Sequence, residues 1–227
     1  MKKSHEQPPV TRPGLVRRAW LARALGLLAL GLGGLPPARA TEPDTPLLAQ
    51  LRQRLQTAPV LRGRFEQHKR IQGFKNPLVS RGDFLVARER GILWHTRTPF
   101  ESTLIVTRDR LQSLQADGSV GTQLDAREEP GLRAINALLF ALMAADLDRL
   151  AERFHIEGQA GGASDWRLVL TPRDAALAQW LARVELQGER YVNSVTLTEA
   201  RGDESVIRFS AQSTAAQLSP AESARFE

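Results

Sequence analysis

From residue 47 the apolar positions recur at helical spacing. Leu47, Leu48, Leu51 and Leu55 share one face of LLAQLRQRLQTA, Arg52 and Arg54 lie off it, and Pro59 follows directly. Steps of three and four line such residues into one stripe, so an amphipathic helix is expected over 47–58, stopped by the proline. After it the period changes to two. VLRGRFEQHKR (60–70), GDFLVAR (82–88), ILWHT (92–96), STLIVTR (102–108) and RLQSLQ (110–115) read as strands, punctuated by Gly91, Pro99, Asp109 and Asp117-Gly118. Strands in succession with short turns pair antiparallel.

Then the pattern breaks. In RAINALLFALMAADLDRLAERF (133–154) only Asn136 is polar between Ala134 and Ala145. A helix apolar on nearly all sides has to be covered on nearly all sides. Asp146 is placed to cap a second short helix carrying Leu147, Leu150 and Phe154. Strands resume with HIEGQ (155–159), WRLVLTP (166–172), WLARVEL (180–186), VNSVTLTEA (192–200) and SVIRFSAQ (205–212). Gly161-Gly162, Asp174-Ala175 and Gly202-Asp203 are read as the turns between them, and GGAS (161–164) as a hairpin turn. The tail STAAQLSPAESARF (213–226) reads as a loop ending in a short helical piece.

About ten antiparallel strands curl rather than stay flat. A curled sheet with an all-round apolar helix on its concave side is a half-barrel with a lid. The fold class expected is therefore α+β, mainly β: an unclosed antiparallel β-barrel with a helical lid over its concave apolar face. Strand parity then sharpens one residue. Phe84, Val86 and Arg88 share a face, as do Ile92, Trp94 and Thr96 beyond the Arg90-Gly91 turn. An apolar face that ends in arginine fits the inside of something hollow, with Arg88 at its rim. Phe84 and Trp94 read equally as solid core, and the residues alone leave core and cavity open.

The first forty residues change the charge picture. Lys2, Lys3, Arg12, Arg17, Arg18 and Arg23 precede the uncharged ALGLLALGLGGL, and PPARA ends in Ala38-Arg39-Ala40. That is the layout of a cleavable secretory signal, whose apolar run of a dozen residues falls short of the ~18 a membrane span needs. Residues 1–40 are read as signal peptide and 41–227 as a single exported domain in the periplasm. The formal net charge is +6, but the leader holds seven of the 31 basic and one of the 25 acidic residues, which leaves 24 of each. A balanced domain gives no electrostatic case for nucleic acid. The chain has no cysteine, which excludes disulfides, thiolate metal sites and a lipidated N-terminal cysteine.

Enzyme signatures are missing. His68, His95 and His155 fall on different expected strands, without HExxH or other ligand spacing, and no GxSxG, phosphate loop or dinucleotide fingerprint occurs. No catalytic residue, metal ligand or cofactor is nominated. RGD occurs at 81–83 and 201–203 and is read as turn chemistry beside a strand rather than an adhesion signal.

The stretch GRFEQHKRIQGFKNPLVSRGDFLVARERGILWHTRTPFESTLIVTRDRL (63–111) resembles the N-terminal half of LolA-type periplasmic lipoprotein carriers. It carries Phe65 and Gln67, Gly82 and Phe84, Arg88 ahead of Trp94, then Pro99 and the apolar Leu104-Ile105-Val106. DWRLVLTPRD (165–174) is similar to the family's later strand ending in Leu-Thr-Pro. Glu89 stands where the family often has proline, and the family's extended C-terminal strand and loop are not recognisable, which places the chain nearer a divergent LolA-like branch. The resemblance implies an apolar cavity, lined here by Phe65, Phe84, Val86, Ile92 and Trp94 from the sheet and by Leu138, Leu139, Leu142 and Met143 from the lid. It implies that Arg88 latches the lid, donating to carbonyls of the helices. Partners would be lipoprotein acyl chains or another lipid or polyene cargo, handed from an inner-membrane transporter to an outer-membrane receptor by a monomer. The alternative is a lipid-sensing regulatory protein of the same fold, a kind that usually carries a second domain.

Overall fold

A computed structural model of the protein describes residues 46–125, 140, 141, 143, 146–161 and 165–227. The chain divides into two units, Met1–Glu42 and Pro43–Glu227, and every described residue belongs to the second. The expected signal peptide lies outside the described residues, as do Leu138, Leu139 and Leu142.

The first helix, α1, spans Pro46–Arg54. It stops before the expected residue 58 because the Gln56 amide donates to the Arg190 carbonyl at 2.8 Å, not back along the helix. Six strands follow: β1 (Val60–Arg70), β2 (Leu78–Ala87), β3 (Gly91–Thr98), β4 (Ser102–Thr107), β5 (Arg110–Gln115) and β6 (Val120–Asp125). The last of these was not legible, since VGTQLD offers only two large apolar positions. Residues 140, 141 and 143 are helical, and α2 (Leu147–Arg153) follows. The Asp146 carboxylate accepts from the Arg149 amide as its cap, as expected. Phe154 is not part of that helix but opens β7 (Phe154–Ala160). Then come β8 (Trp166–Pro172), β9 (Leu181–Gly188), β10 (Val192–Glu199) and β11 (Glu204–Ala215). The expected turn at Asp174-Ala175 is instead a short helix, α3 (Ala175–Ala178), capped by Asp174 through the Leu177 amide at 2.7 Å. The tail ends in α4 (Pro220–Ala224), held by a capping box of Ser219 and Glu222.

All eleven strands form one antiparallel sheet in the order β6-β5-β4-β3-β2-β1-β11-β10-β9-β8-β7. Two meanders are joined by pairing of β1 with β11, while β6 and β7 remain as edges, so the barrel is not closed.

The two faces are covered differently. On the inner face Phe65, Phe84, Val86, Ile92, Val106, Leu168, Leu170, Val184, Leu186 and Phe209 pack with Leu48 and Leu51 of α1, Leu55 just beyond it, and Leu147 and Leu150 of α2. The outer face of β1–β4 carries a smaller core, Val60, Leu85, Ala87, Leu93 and Ile105, closed by Phe226 beyond α4. Gly91, read as part of a turn, begins β3; a Cβ there would lie 2.8 Å from the Phe226 ring. Arg62 clamps the tail through a two-pronged bond to Glu222 at 2.5 and 2.7 Å.

Candidate functional site

The inner face of β1, β2, β3 and β11 is floored by four rings. Phe65 stacks on Trp94 with centroids 3.8 Å apart, and Phe84 lies 6.4 Å from Trp94 on the neighbouring strand. Phe209 meets Phe84 edge-on at 5.0 Å and Trp94 at 6.2 Å. The two edge-on contacts of Phe209 are of the kind that aromatic quadrupoles favour.

Two glycines make the floor possible. In the β1–β2 register Gly63 opposes Phe84 and Phe65 opposes Gly82. A Cβ on Gly63 would come within 2.6 Å of the Phe84 ring; one on Gly82 would lie 1.9 Å from the His95 carbonyl and 2.9 Å from the Phe65 ring. Each ring therefore lies over a glycine of the neighbouring strand. This also corrects the reading of the first RGD. Arg81-Gly82-Asp83 is not a turn but the interior of β2, and the glycine is there for packing. The second, Arg201-Gly202-Asp203, is a turn, with Gly202 at φ +91°.

Of the cavity residues read from the sequence, Phe65, Phe84, Val86 and Ile92 are buried and Trp94 is half-buried against them. Met143 is half-buried against the same cluster, beside Phe140 and the buried Ala141. Phe209 was missed. Its alternation with Ile207 was legible, but its position beside Phe65 depends on the long-range β1–β11 pairing. Leu51 and Leu150, both fully buried, belong to the helices of the cover, and the fully buried Phe154 at the start of β7 packs in the same cluster.

Arg88 is exposed at the end of β2, and its backbone amide donates to the Pro59 carbonyl at 3.0 Å. It borders a crevice shared with Leu55, Leu61, Val86, Met143 and Tyr191. This crevice measures about 20 Å³, room for roughly one water. The guanidinium reaches no acceptor among the described residues, α1 included.

The outer face carries the polar chemistry. Glu66 accepts from His68 at 2.6 Å and from Arg81 at 2.7 Å, and these bonds, His68 first, pull its carboxyl down to about 2. His95 pairs with Thr103 at 2.9 Å, and Arg97 with Asp83 at 2.5 Å. Glu66–His68 lies within β1 and the other three are cross-strand pairs, so each histidine is served by its own neighbour. Among the described residues no group of three or more His, Asp or Glu side chains could hold a metal ion, and no helix is long and apolar enough to cross a membrane.

Residues 56–222 match the family of the outer membrane lipoprotein carrier protein LolA. The chain belongs to the LolA family. The match begins two residues after α1 and ends at Glu222, so the aromatic floor and α2 lie within it. Solved structures similar to this family member include a LolA superfamily protein from Nitrosomonas europaea, with TM-score 0.42, 11% identity, 77% of this chain and 94% of that one covered. Another is a putative outer membrane lipoprotein-sorting protein domain from Vibrio parahaemolyticus, with TM-score 0.41 and 11% identity over 78% and 94% of the two chains. No curated protein sequence matches the chain.

Proposed function

We propose that this LolA-family protein is a periplasmic carrier. It holds the acyl chains of a lipoprotein, or of another lipid or polyene, against the inner face of the sheet and moves them from the inner toward the outer membrane. The observation that supports this reading is the aromatic floor of Phe65, Phe84, Trp94 and Phe209, packed in one apolar cluster with the short helices α1 and α2. A rigid ring floor offers apolar area to a chain without ordering cost, and short helices can part from it without breaking the sheet.

Burying a methylene is worth about 0.8 kcal/mol, so a sixteen-carbon chain gains roughly 12 kcal/mol before ordering costs. Holding is therefore easy and release is the controlled step. In this reading Phe65, Phe84, Val86, Ile92 and Trp94 line the site from the sheet and Leu138, Leu139, Leu142 and Met143 from the lid. Arg88 is the latch. Residues 1–40 serve export and are removed near Ala40, leaving 41–227 as the working domain. An inner-membrane transporter and an outer-membrane receptor are transient partners, and no covalent step is required.

Native mass spectrometry of the protein purified from its host tests the proposal. The expected result is an intact lipid adduct that organic extraction removes and added lipid restores. A protein that stays adduct-free with every acylated compound offered, or that releases a chemically altered lipid, would overturn it.

A further inference from the structure

Five of the six large apolar side chains exposed among the described residues lie at one end of the sheet. Phe74 (64% exposed) sits in the β1–β2 turn and Leu78 (55%) opens β2. Phe100 (82%) tips the β3–β4 turn, Val120 opens β6 and Trp180 (45%) leads into β9. The topology brings these connections together, because odd and even turns of a meander fall at opposite ends. Lys69 pairs with Leu78, Arg70 with Glu204, and the Ala200 amide donates to the Trp180 carbonyl at 3.1 Å. Arg88 stands at the other end.

Single exposed apolar residues need no explanation, but five at one end do. Their spacing decides what they fit. At about 4.8 Å per strand, the Phe74 and Phe100 turns lie roughly 10 Å apart along the sheet, and Trp180 roughly 19 Å from Phe74 on the other side. A protein partner buries a contiguous patch, whereas separated tips suit a planar, deformable apolar phase. Tryptophan settles at a bilayer's headgroup level, and phenylalanine is among the side chains that surface-bound elements bury at the boundary of headgroups and acyl chains. Charge selects the kind of bilayer. Arg70, Lys75, Arg97 and Arg201 at these turns are matched by Glu101, Asp117, Asp203 and Glu204, and Lys69 is bound to Glu199 at 2.8 Å. Such a balance gives no pull toward anionic lipid.

We propose that this end of the sheet docks on a phospholipid bilayer, with Phe74, Phe100 and Trp180 inserting by apolar contact alone. The proposal does not depend on which cargo the inner face holds. Co-sedimentation with phosphatidylcholine vesicles tests it, using the exported protein as its host processes it. The parent should bind equally in low and high salt. Phe74→Ser with Phe100→Ser should bind at least about tenfold more weakly, since two phenyl rings are lost to water, with an unchanged thermal midpoint. Phe100→Trp should restore binding and show emission that bromine-labelled acyl chains quench. Three outcomes would each overturn the proposal: no binding by the parent, binding confined to anionic vesicles at low salt, or a serine variant that binds like the parent. The first would turn attention to a protein partner for these tips.

Discussion

Arg88 shares strand parity with Phe84 and Val86, yet it is exposed at the end of β2 and its side chain bonds no acceptor among the described residues. A latch needs this position: near enough to the crevice by Met143 to bond a closing lid, exposed enough to let go cheaply. Bonds from a charged donor are worth roughly 1.5–3 kcal/mol, which would bias lid closure by one to two orders of magnitude. Arg88→Leu should leave the thermal midpoint near that of the parent and change the on- and off-rates of a fluorescent acyl probe about tenfold or more. Unchanged rates would remove Arg88 from the mechanism. At this scale the sequence was most legible where a residue's role is set by its own strand. Phe84, Val86 and Ile92 were placed inward by alternation and are buried, as is Phe65, which the family resemblance nominated. Phe209 obeys the same alternation, but no local pattern says that its strand lies beside β1. Gly82 was read through its tripeptide as a turn, because the ring it accommodates belongs to a different strand.

Elements were legible where apolar spacing is regular and obscure where it is sparse. β1, β5 and β8 begin and end where alternation places them. The polar β6 and the four-residue α3 lack such a signal, the second being stabilised by one capping bond and one buried leucine. The tail is the clearest case of an element fixed by a distant partner. Glu222 closes the capping box of α4 and also receives Arg62 of β1. The Arg62 bond, with the Ser219 backbone and side chain, pulls the Glu222 carboxyl from its ordinary 4.5 to about 2. A depressed carboxylate stabilises the fold in full above its unfolded pKa and loses that contribution as pH falls toward the folded value. The clamp should therefore hold above pH 4.5 and weaken between 4.5 and about 2. Arg62→Gln should cost about 1–2 kcal/mol at neutral pH, since both groups are partly exposed. Denaturant unfolding at steps of falling pH should show that difference shrink; a constant gap would mean the tail is held by Phe226 alone.

At the scale of the whole molecule, the half-barrel followed from strand number and an unusually apolar helix, while the joining of its two meanders by β1 and β11, the first and last strands, did not. That pairing places the ring floor at the seam between two meanders, in one apolar cluster with Leu48 and Leu51 of α1 and Leu147 and Leu150 of α2. In this closed arrangement Leu51 and Leu150 are fully buried and the crevice at the rim holds about 20 Å³. A site for a drug-sized or lipid ligand takes several hundred Å³. On the proposed reading, loading would part cover from floor, and the short elements of the cover are the ones expected to move. The sheet is held by a continuous hydrogen-bond ladder, whereas α1 is nine residues long and fixed largely by Leu48, Leu51 and Leu55. Local opening is easiest where few buried contacts hold a short element. Hydrogen exchange of delipidated protein, before and after loading with an acyl probe, should show the α1 amides losing protection while the paired amides of β1, β2 and β11 keep theirs. Trp94 emission, which reports the floor, should shift in step with probe binding, and Trp94→Phe should abolish that shift. If loading leaves α1 as protected as before, the chain is entering elsewhere, and the inner face beneath α1 is a solid core.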